Sequence, residues 1–313
     1  MGRDHMRGDA DMSVTILDGG LGQELIKRAG KATGLWSTQA LLDAPDTVRA
    51  VHLDFLNAGA EIVTADTYAL LPDRLVTFGI EDQMETLMAT ALRLVNEARD
   101  KAGHGKVAGS MGPLGFSYRP DLAPPAAEAA EAYAKLAAMQ APLVDMILLE
   151  TMAGVNQARG ALMGASVVDV PVWLCLSVDD QDGTLLRSGE KLTEIAPLLA
   201  EFAPERVMIN CSVPEAVSQA MPVIAGFGLP CGGYANGFTQ IASNFDSIGA
   251  TVDVLTTRQD VGPERYADFA QDWVAAGATA VGGCCEIGPD HIAALVRRFK
   301  PEQAAAPAAH ATV

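Results

Sequence analysis

Three cysteines that follow two short apolar runs are the residues of this chain best suited to chemistry. Cys284 and Cys285 stand side by side after Gly282-Gly283, and the apolar run Ala278–Val281 precedes them. Cys211 ends a similar stretch that begins at Val207. Three thiolates with one open position describe a reactive zinc site, because a structural zinc site is normally closed by a fourth protein ligand. The pattern therefore predicts that Cys211, Cys284 and Cys285 bind Zn²⁺.

A shared metal centre requires the chain to bend at the cysteine pair. Neighbouring side chains of an extended strand point to opposite faces, and the two preceding glycines permit a bend. Two other interpretations stay open: a vicinal disulfide between Cys284 and Cys285, or cysteines that are only small buried hydrophobic side chains. We expect the remaining cysteines, Cys175 and Cys231, to pack in the core.

The composition narrows the class of protein. The chain has 313 residues, a formal charge of −17, 49% hydrophobic residues and 5% aromatic residues. Nucleic-acid binding is not expected, because it requires a basic surface. No apolar run approaches the ~18–20 residues of a membrane span, and the polar N-terminus lacks the apolar core of a signal peptide. Five cysteines, an odd number, are typical of a reducing compartment, so we expect a cytoplasmic protein with no membrane partner.

Short β-like runs alternate with amphipathic helical patterns along the chain. This alternation predicts a single (β/α)8 TIM barrel, an α/β fold, over residues 13–300, and a doubly wound sheet is the alternative. Residues 1–12 are expected to be a disordered extension and residues 301–313 a disordered tail. The predicted strands are Val14–Leu17, Ile62–Ala65, Lys106–Gly109, Met146–Leu149, Val172–Leu176, Arg206–Ile209, Leu229–Gly233 and Ala278–Val281.

Polar residues fall where the predicted strands end. The active sites of TIM barrels lie at the carboxyl ends of the strands, so these residues are candidates for a common site. Strands six and eight have the same parity, and their inward side chains can share one layer, which brings the three cysteines together. The strand-end residues besides the cysteines are Asp18, Asp66, Ser110, Glu150, Asn210, Tyr234 and Asn236.

These residues carry a resemblance to a known family. From about Ile16 to Ile292 the chain resembles the homocysteine S-methyltransferases, zinc-dependent barrels related to betaine–homocysteine methyltransferases and to the homocysteine module of methionine synthases. The order of Asn-Cys and then Gly-Gly-Cys-Cys is the most specific part of the match. The shared motifs are Leu17-Asp18-Gly19-Gly20, Leu35-Trp36-Ser37, Gly59–Thr64, Gly109–Pro113, Leu149-Glu150-Thr151, Asn210-Cys211 and Gly282–Cys285.

The resemblance implies roles for individual residues. Cys211, Cys284 and Cys285 would bind zinc, with the substrate thiol in the fourth position. Asp18 and Glu150 would hold the ammonium group of L-homocysteine through charge-assisted hydrogen bonds, although Asp18 before two glycines can also be read as a turn residue. Backbone amides near Gly19 and Ser37 would receive its carboxylate. We also expect Asn210 and Asn236 to contact the substrate.

The methyl donor is predicted only as a chemical class. An onium group favours aromatic faces, so Trp36, Tyr68 and Tyr234 are expected to form a donor pocket, with loop packing as the other interpretation of Trp36. The chain departs from common family forms near this pocket, since Asp66 stands where many members carry Asn and Glu286-Ile287-Gly288 follows the cysteines. These departures leave S-methylmethionine and betaine both open as donors.

The resulting hypothesis is zinc-dependent methyl transfer from an onium donor to the thiol of L-homocysteine, giving methionine. One alternative is a methyltransferase that takes its methyl group from a separate corrinoid protein. The other is a non-catalytic zinc- or thiol-binding sensor. Assembly into a homo-oligomer stays open.

Overall fold

Eight parallel strands form one sheet that curves into a barrel. The computed structural model describes residues 13–242, 244–245 and 247–304, and the expected extension at 1–12 lies outside them. Around the sheet the strands run in the order β1-β8-β7-β6-β5-β4-β3-β2. The sequence prediction of a single (β/α)8 barrel is confirmed. The strands are β1 Thr15–Ile16, β2 Ile62–Thr64, β3 Lys106–Met111, β4 Met146–Met152, β5 Val172–Leu176, β6 Arg206–Asn210, β7 Cys231–Tyr234 and β8 Ala280–Val281.

The barrel closes between β1 and β2 through a short set of backbone contacts. β1 pairs with β8 along its two residues, whereas its contact with β2 is the single parallel bridge between Leu17 and Ile62. The amide of Asp18 donates to the carbonyl of Ile62 at 2.9 Å, and the amide of Glu61 donates to the carbonyl of Ile16 at 2.7 Å.

Two carboxylates extend this closure at its ends. Glu61 Oε2 accepts the amide of Ile16 at 2.9 Å, and its other oxygen accepts Lys300 Nζ at 3.0 Å. At the opposite end Asp18 Oδ2 accepts the amide of Thr64 at 2.7 Å. Side chains therefore supply hydrogen bonds that the short strand β1 cannot make, and Asp18 has a structural role at the mouth of the barrel.

Helices cover the outside of the barrel between consecutive strands. Helices lie between consecutive strands, as the alternation of β-like runs and amphipathic patterns predicts. Pro301–Ala304 is helical, so the expected disordered tail is corrected at its first four residues, and 305–313 lie outside the described residues. The helices are α1 Leu21–Ala29, α2 Thr38–Asp43, α3 Pro45–Asn57, α4 Pro72–Thr77, α5 Met84–Ala102, α6 Ala126–Gln140, α7 Val155–Ala165, α8 Ala196–Phe202, α9 Pro214–Ala225, α10 Pro263–Ala275, α11 Pro289–Phe299 and α12 Pro301–Ala304.

Helices α6 and α7 pack at unusually close range. A Cβ added at Gly164 would lie 2.3 Å from Tyr133 Cβ, and one added at Gly160 would lie 2.8 Å from Ala129 Cβ. The Ala-rich sequence of α6 and the two glycines of α7 thus remove side chains that would separate the two backbones. Such close packing requires small residues at the helix contact, in agreement with the low aromatic content of the chain.

The interior of the barrel is filled below the mouth by apolar side chains. Leu148, Met208 and Ala280 are fully buried there, together with Cys175. Cys231 is 2% exposed and packs in the layer between the barrel and its helices. The expectation that Cys175 and Cys231 belong to the core is confirmed. No helix among the described residues is long and apolar enough to cross a bilayer.

His52 on α3 is fully buried, and neither ring nitrogen has a hydrogen-bond partner. Burial lowers its pKa from 6.5 to about 3. Below pH 6.5 His52 therefore binds a proton in the unfolded chain but not in the folded chain. The free energy of unfolding consequently decreases as the pH falls toward 3. At pH 5, which is 1.5 pH units below the ordinary pKa of histidine, the free energy of unfolding is lower by about 2 kcal/mol, at ~1.4 kcal/mol for each pH unit.

We expect His52→Leu to remove this acid sensitivity, because leucine fills a similar volume without a titrating group. Urea unfolding at pH 8 and pH 5 should show the variant gaining about 2 kcal/mol over the native chain on acidification. The exposed His104 provides the control, His104→Leu. Equal pH dependence in the native chain and His52→Leu would contradict the assignment.

Candidate active site

A cavity of about 160 Å³ opens at the carboxyl ends of the strands. Residues from the ends of β1, β2, β3, β4, β6, β7 and β8 line it, as the barrel architecture predicts. Among its described lining residues are three carboxylates and no Lys, Arg or His, so the cavity favours cationic ligands. The lining residues include Asp18, Gly19, Trp36, Ser37, Asp66, Tyr68, Ser110, Tyr118, Glu150, Cys211, Tyr234, Phe245, Cys284 and Cys285.

The structure brings the three predicted cysteines to this one cavity. Cys211 and Cys284 are joined by a disulfide with their Cα atoms 5.7 Å apart, and Cys285 is a free thiol beside them. The disulfide is thus not the vicinal one considered from the sequence. We call Cys211, Cys284 and Cys285 the cysteine cluster. In this disulfide form, no group of three or more His, Cys, Asp or Glu residues within the described part of the chain is placed to hold a metal.

Close backbone contacts hold the cysteine pair after β8. The amide of Gly283 donates to the carbonyl of Asp18 at 2.8 Å, and the amide of Cys284 donates to the carbonyl of Ala235 at 2.9 Å. A Cβ at Gly283 would lie 2.2 Å from the side chain of Ile287, so a larger residue does not fit. The chain then turns, with Glu286 in the left-handed region at φ 67°. The bend that the sequence requires at this pair is present.

Cys211 is positioned by a buried ion pair that sequence reasoning missed. Its backbone is left-handed, with φ 48°, and its carbonyl accepts Arg187 Nη2 at 3.3 Å. The same Nη2 donates to Asp180 Oδ1 at 2.7 Å, and both side chains are at most 10% exposed. Asp180 also accepts the amide of Val213 at 3.1 Å. Arg187 and Asp180 come from the loop after β5, whose path the sequence pattern does not indicate.

Asp18 and Glu150 lie in the same cavity with their oxygens already hydrogen-bonded. Asp18 accepts the amide of Thr64 at 2.7 Å and its hydroxyl at 2.9 Å. Glu150 accepts the hydroxyl of Tyr234 at 2.8 Å and that of Ser110. Burial raises the pKa of Asp18 to about 7 and also raises the pKa of Glu150. A positive charge bound between them would restore the ionised forms, as expected for an ammonium site.

Three sequence-predicted contacts take positioning roles in the structure. The Tyr234 hydroxyl donates to Glu150 and orients that carboxylate, and Tyr234 also lines the cavity, so its part in a donor pocket stays a prediction. Asn210 is fully buried, and its Oδ1 accepts the amide of Thr151 at 3.0 Å while its Nδ2 lies 3.5 Å from Cys211 Sγ. Asn236 is fully buried as well, and its Oδ1 accepts the amide of Phe238 at 3.1 Å. Neither asparagine lines the cavity.

Aromatic rings form one side of the cavity. Trp36 stacks on Tyr68 with ring centroids 6.1 Å apart and on Phe245 at 5.8 Å, and Tyr118 contacts Phe245 at 6.0 Å. We call these four residues the aromatic wall. The structure thus brings Trp36 and Tyr68 together as predicted, and it adds Tyr118 and Phe245. The buried guanidinium of Arg74 lies 4.6 Å from the Trp36 ring centroid and does not line the cavity.

Asp66 lines the cavity two residues before Tyr68 of the aromatic wall. Its Oδ2 is buried without a hydrogen-bond partner. Burial raises its pKa to about 6. Ser37 and Gly19, the predicted neighbours of the substrate carboxylate, both line the cavity.

Comparison with known proteins connects this geometry to a family. The curated homocysteine S-methyltransferase of Escherichia coli (strain K12) is 28% identical over 306 residues, which cover 91% of this chain and 95% of the relative. Homocysteine S-methyltransferase 4 of Zea mays is 28% identical over 318 residues, covering 91% of this chain and 89% of that protein.

The fold and the family model agree with these relatives. The metallated form of the homocysteine methyltransferase MmuM from Escherichia coli superposes with a TM-score of 0.77 at 26% identity, covering 91% of this chain and 96% of that chain. Its oxidized form superposes with a TM-score of 0.76. A sequence model described as homocysteine S-methyltransferase matches residues 15–299. The chain therefore belongs to the homocysteine S-methyltransferase family.

Proposed function

We propose that this chain transfers a methyl group from an onium donor to the thiol of L-homocysteine, giving methionine, and that the reaction requires Zn²⁺. The observation that carries the proposal is the convergence of three thiols from the ends of β6 and β8 in a cavity lined by carboxylates and aromatic rings. The family and its curated relatives support the same reaction.

The donor set fits zinc. Three thiols leave one of the four tetrahedral positions of zinc open, as in a catalytic zinc site. The sulfurs of Cys211 and Cys284 are already in contact, and Cys285 is the adjacent residue in the same cavity. Zn²⁺ bound there would hold the homocysteine sulfur as a thiolate, the nucleophilic form of a thiol. Because the disulfide consumes two ligands, we place the activity in a reducing compartment such as the cytoplasm.

The chain's own residues would orient homocysteine. Asp18 and Glu150 reach the cavity from β1 and β4 and would hold the substrate ammonium between them. The Tyr234 and Ser110 hydroxyls keep Glu150 in place, and Thr64 does the same for Asp18. The carboxylate would lie toward the amides near Gly19 and Ser37. Such positioning directs the sulfur toward the donor.

The aromatic wall would bind the methyl donor. A cation over aromatic faces is stabilised by the ring quadrupoles, and the cavity lining offers this cation three carboxylates. When the methyl group leaves, a new sulfur–carbon bond forms and the onium–carbon bond breaks, so the donor becomes neutral. The neutral product then loses its attraction to the wall and to the carboxylates.

The test is methionine formation by reduced, zinc-loaded protein with homocysteine. S-methylmethionine, betaine and S-adenosylmethionine should be offered separately, and methionine measured by mass spectrometry. Turnover with one donor is expected. No turnover with any donor, despite bound zinc and bound homocysteine, would contradict the proposal and favour a corrinoid partner or a sensor.

A further inference from the structure

Arg187 is a cation that connects two sides of the cavity from behind its lining. Its side chain is 10% exposed and does not line the cavity. The guanidinium forms a two-point ion pair with Asp180, with Nη2–Oδ1 at 2.7 Å and Nη1–Oδ2 at 3.2 Å. Nε donates to the hydroxyl of Ser177 at 2.8 Å, and Nη2 also donates to the carbonyl of Cys211 at 3.3 Å. All three nitrogens of the planar fork are therefore bound to fixed partners.

The ion pair holds the backbone of Cys211 at two points. Arg187 binds the carbonyl of Cys211, and Asp180 Oδ1 accepts the amide of Val213, two residues later, at 3.1 Å. Cys211 is in the left-handed region, with φ 48°, which a residue with a Cβ adopts at a cost and keeps only where its surroundings fix it. Because Arg187 binds the carbonyl and not the sulfur, this contact requires neither the disulfide nor the thiolate.

The same guanidinium reaches the aromatic wall. Its central carbon lies 4.8 Å from the centroid of the Tyr118 ring, and a guanidinium over an aromatic face is an attractive contact. Tyr118 also has a left-handed backbone, with φ 65°, and its ring contacts Phe245. Asp180 Oδ2 accepts the amide of Ile241 at 3.1 Å, in the loop after β7 that carries Phe245. One ion pair thus connects a proposed zinc ligand with the wall expected to bind the donor.

We propose that Arg187 is a positioning residue that holds Cys211 in place for zinc and Tyr118 in place for the methyl donor, with Asp180 orienting Arg187. This assignment rests on the proposed function and deepens it. A tetrahedral site requires its ligands at defined positions, and groups that orient metal ligands typically account for roughly 10- to 100-fold in metal affinity. Lysine cannot take this role, because an ammonium lacks the planar fork that binds a carboxylate and a carbonyl together.

The variant that tests Arg187 must avoid a buried charge without a partner. Removing Arg187 alone leaves Asp180 without its counterion, which destabilises the fold for a reason unrelated to zinc. The test therefore combines Arg187→Met with Asp180→Asn. Methionine keeps much of the apolar length of arginine, and asparagine keeps an acceptor for the amide of Val213. The zinc-free double variant should retain the far-UV circular dichroism of the native chain.

Zinc affinity is the first readout. Reduced native protein and the double variant are titrated with Zn²⁺ in competition with a chromophoric chelator, and the double variant should bind zinc roughly 10- to 100-fold more weakly. Co²⁺ in place of Zn²⁺ reports the ligand geometry, and the visible bands of the tetrahedral cobalt form should shift or lose intensity in the variant. Arg187→Lys, which keeps the charge beside Asp180, should show the same loss of zinc affinity.

The donor gives the second readout. With zinc saturating, KM for the methyl donor should rise roughly three- to fivefold in the double variant, the value of one contact between a cation and an aromatic ring. Arg159→Met is the matched control, because Arg159 forms an exposed ion pair with Glu201 of α8. It should leave zinc affinity, the cobalt spectrum and the donor KM unchanged.

The failures are distinguishable. Native protein that binds zinc but forms no methionine with any donor overturns the proposed function, and the zinc titration still tests Arg187. Native protein that binds no zinc overturns both. Equal zinc affinity in the native chain and the double variant overturns the role of Arg187 for Cys211, and an unchanged donor KM overturns its role for Tyr118. Native zinc affinity in Arg187→Lys overturns the proposal whether or not the double variant folds.

Discussion

Cys285→Ser is expected to lose zinc and at least about a thousandfold in methionine formation, because a hydroxyl is a far weaker zinc ligand than a thiolate. Cys211→Ser and Cys284→Ser should behave alike, since each removes one of three ligands. Zinc content of reduced protein by mass spectrometry and methionine formation in the same samples provide the measurement. A fully active, zinc-loaded Cys284→Ser protein would refute the proposed site.

The chain contains a matched control for the cysteine variants. Cys231 is also buried, at 2% exposed, and its Sγ lies 3.4 Å from the carbonyl of Gly277, outside the cavity. Cys231→Ser should therefore retain zinc and activity even if it costs some stability. Comparing it with Cys285→Ser separates loss of a ligand from loss of packing. All samples need reductant, since Cys211 and Cys284 pair with each other when oxidized.

Much of the barrel was predictable from short-range patterns. Each strand of this parallel sheet is buried on both faces, so its sequence is a continuous run of apolar residues. The strand ends then predicted the site, because all the carboxyl ends of parallel strands face one side. Helix α1 was missed because its amphipathic sequence follows directly on the glycines of the Asp18 motif. The two glycines indicated a turn and did not indicate that a helix begins after them.

The supporting contacts of the site were not predictable in the same way. Arg187 reaches Cys211, 24 residues away, from a loop without a periodic pattern. Tyr234 of β7 reaches Glu150 of β4 across the barrel, 84 residues apart in the sequence. A polar residue at a strand end can face substrate or face another protein group. Asn236 was predicted as a substrate contact, and its buried hydrogen bond to the amide of Phe238 shows the second situation. Tyr234, predicted for the donor pocket, donates to Glu150 and also lines the cavity.

Asp18 has two roles that the sequence presents as alternatives. It follows β1 as a turn residue would, and its carboxylate joins Thr64 across the seam of the barrel. The same side chain lines the cavity next to the cysteine cluster. A substitution there changes barrel closure and substrate binding together. Glu150 is the cleaner position for testing recognition of homocysteine.

Glu150→Gln is expected to raise KM for homocysteine by roughly 10- to 100-fold, the value of a charge-assisted hydrogen bond. The amide loses the negative charge that attracts the ammonium. In the native chain the hydroxyls of Tyr234 and Ser110 donate hydrogen bonds to the Glu150 carboxylate. The NH₂ group of the glutamine would face one of these hydroxyls, so that two donors would meet. Steady-state kinetics at saturating donor give the KM, and zinc content should equal that of the native protein.

Tyr234→Phe provides a graded comparison for Glu150→Gln, since it removes one orienting hydrogen bond and keeps the carboxylate. Its effect on KM for homocysteine should be smaller, at most about tenfold. Glu150→Gln should then raise KM for homocysteine and leave KM for the methyl donor unchanged. A Glu150→Gln enzyme with unchanged KM for homocysteine, or with a raised donor KM in its place, would show that the two sides of the cavity have been assigned the wrong way round.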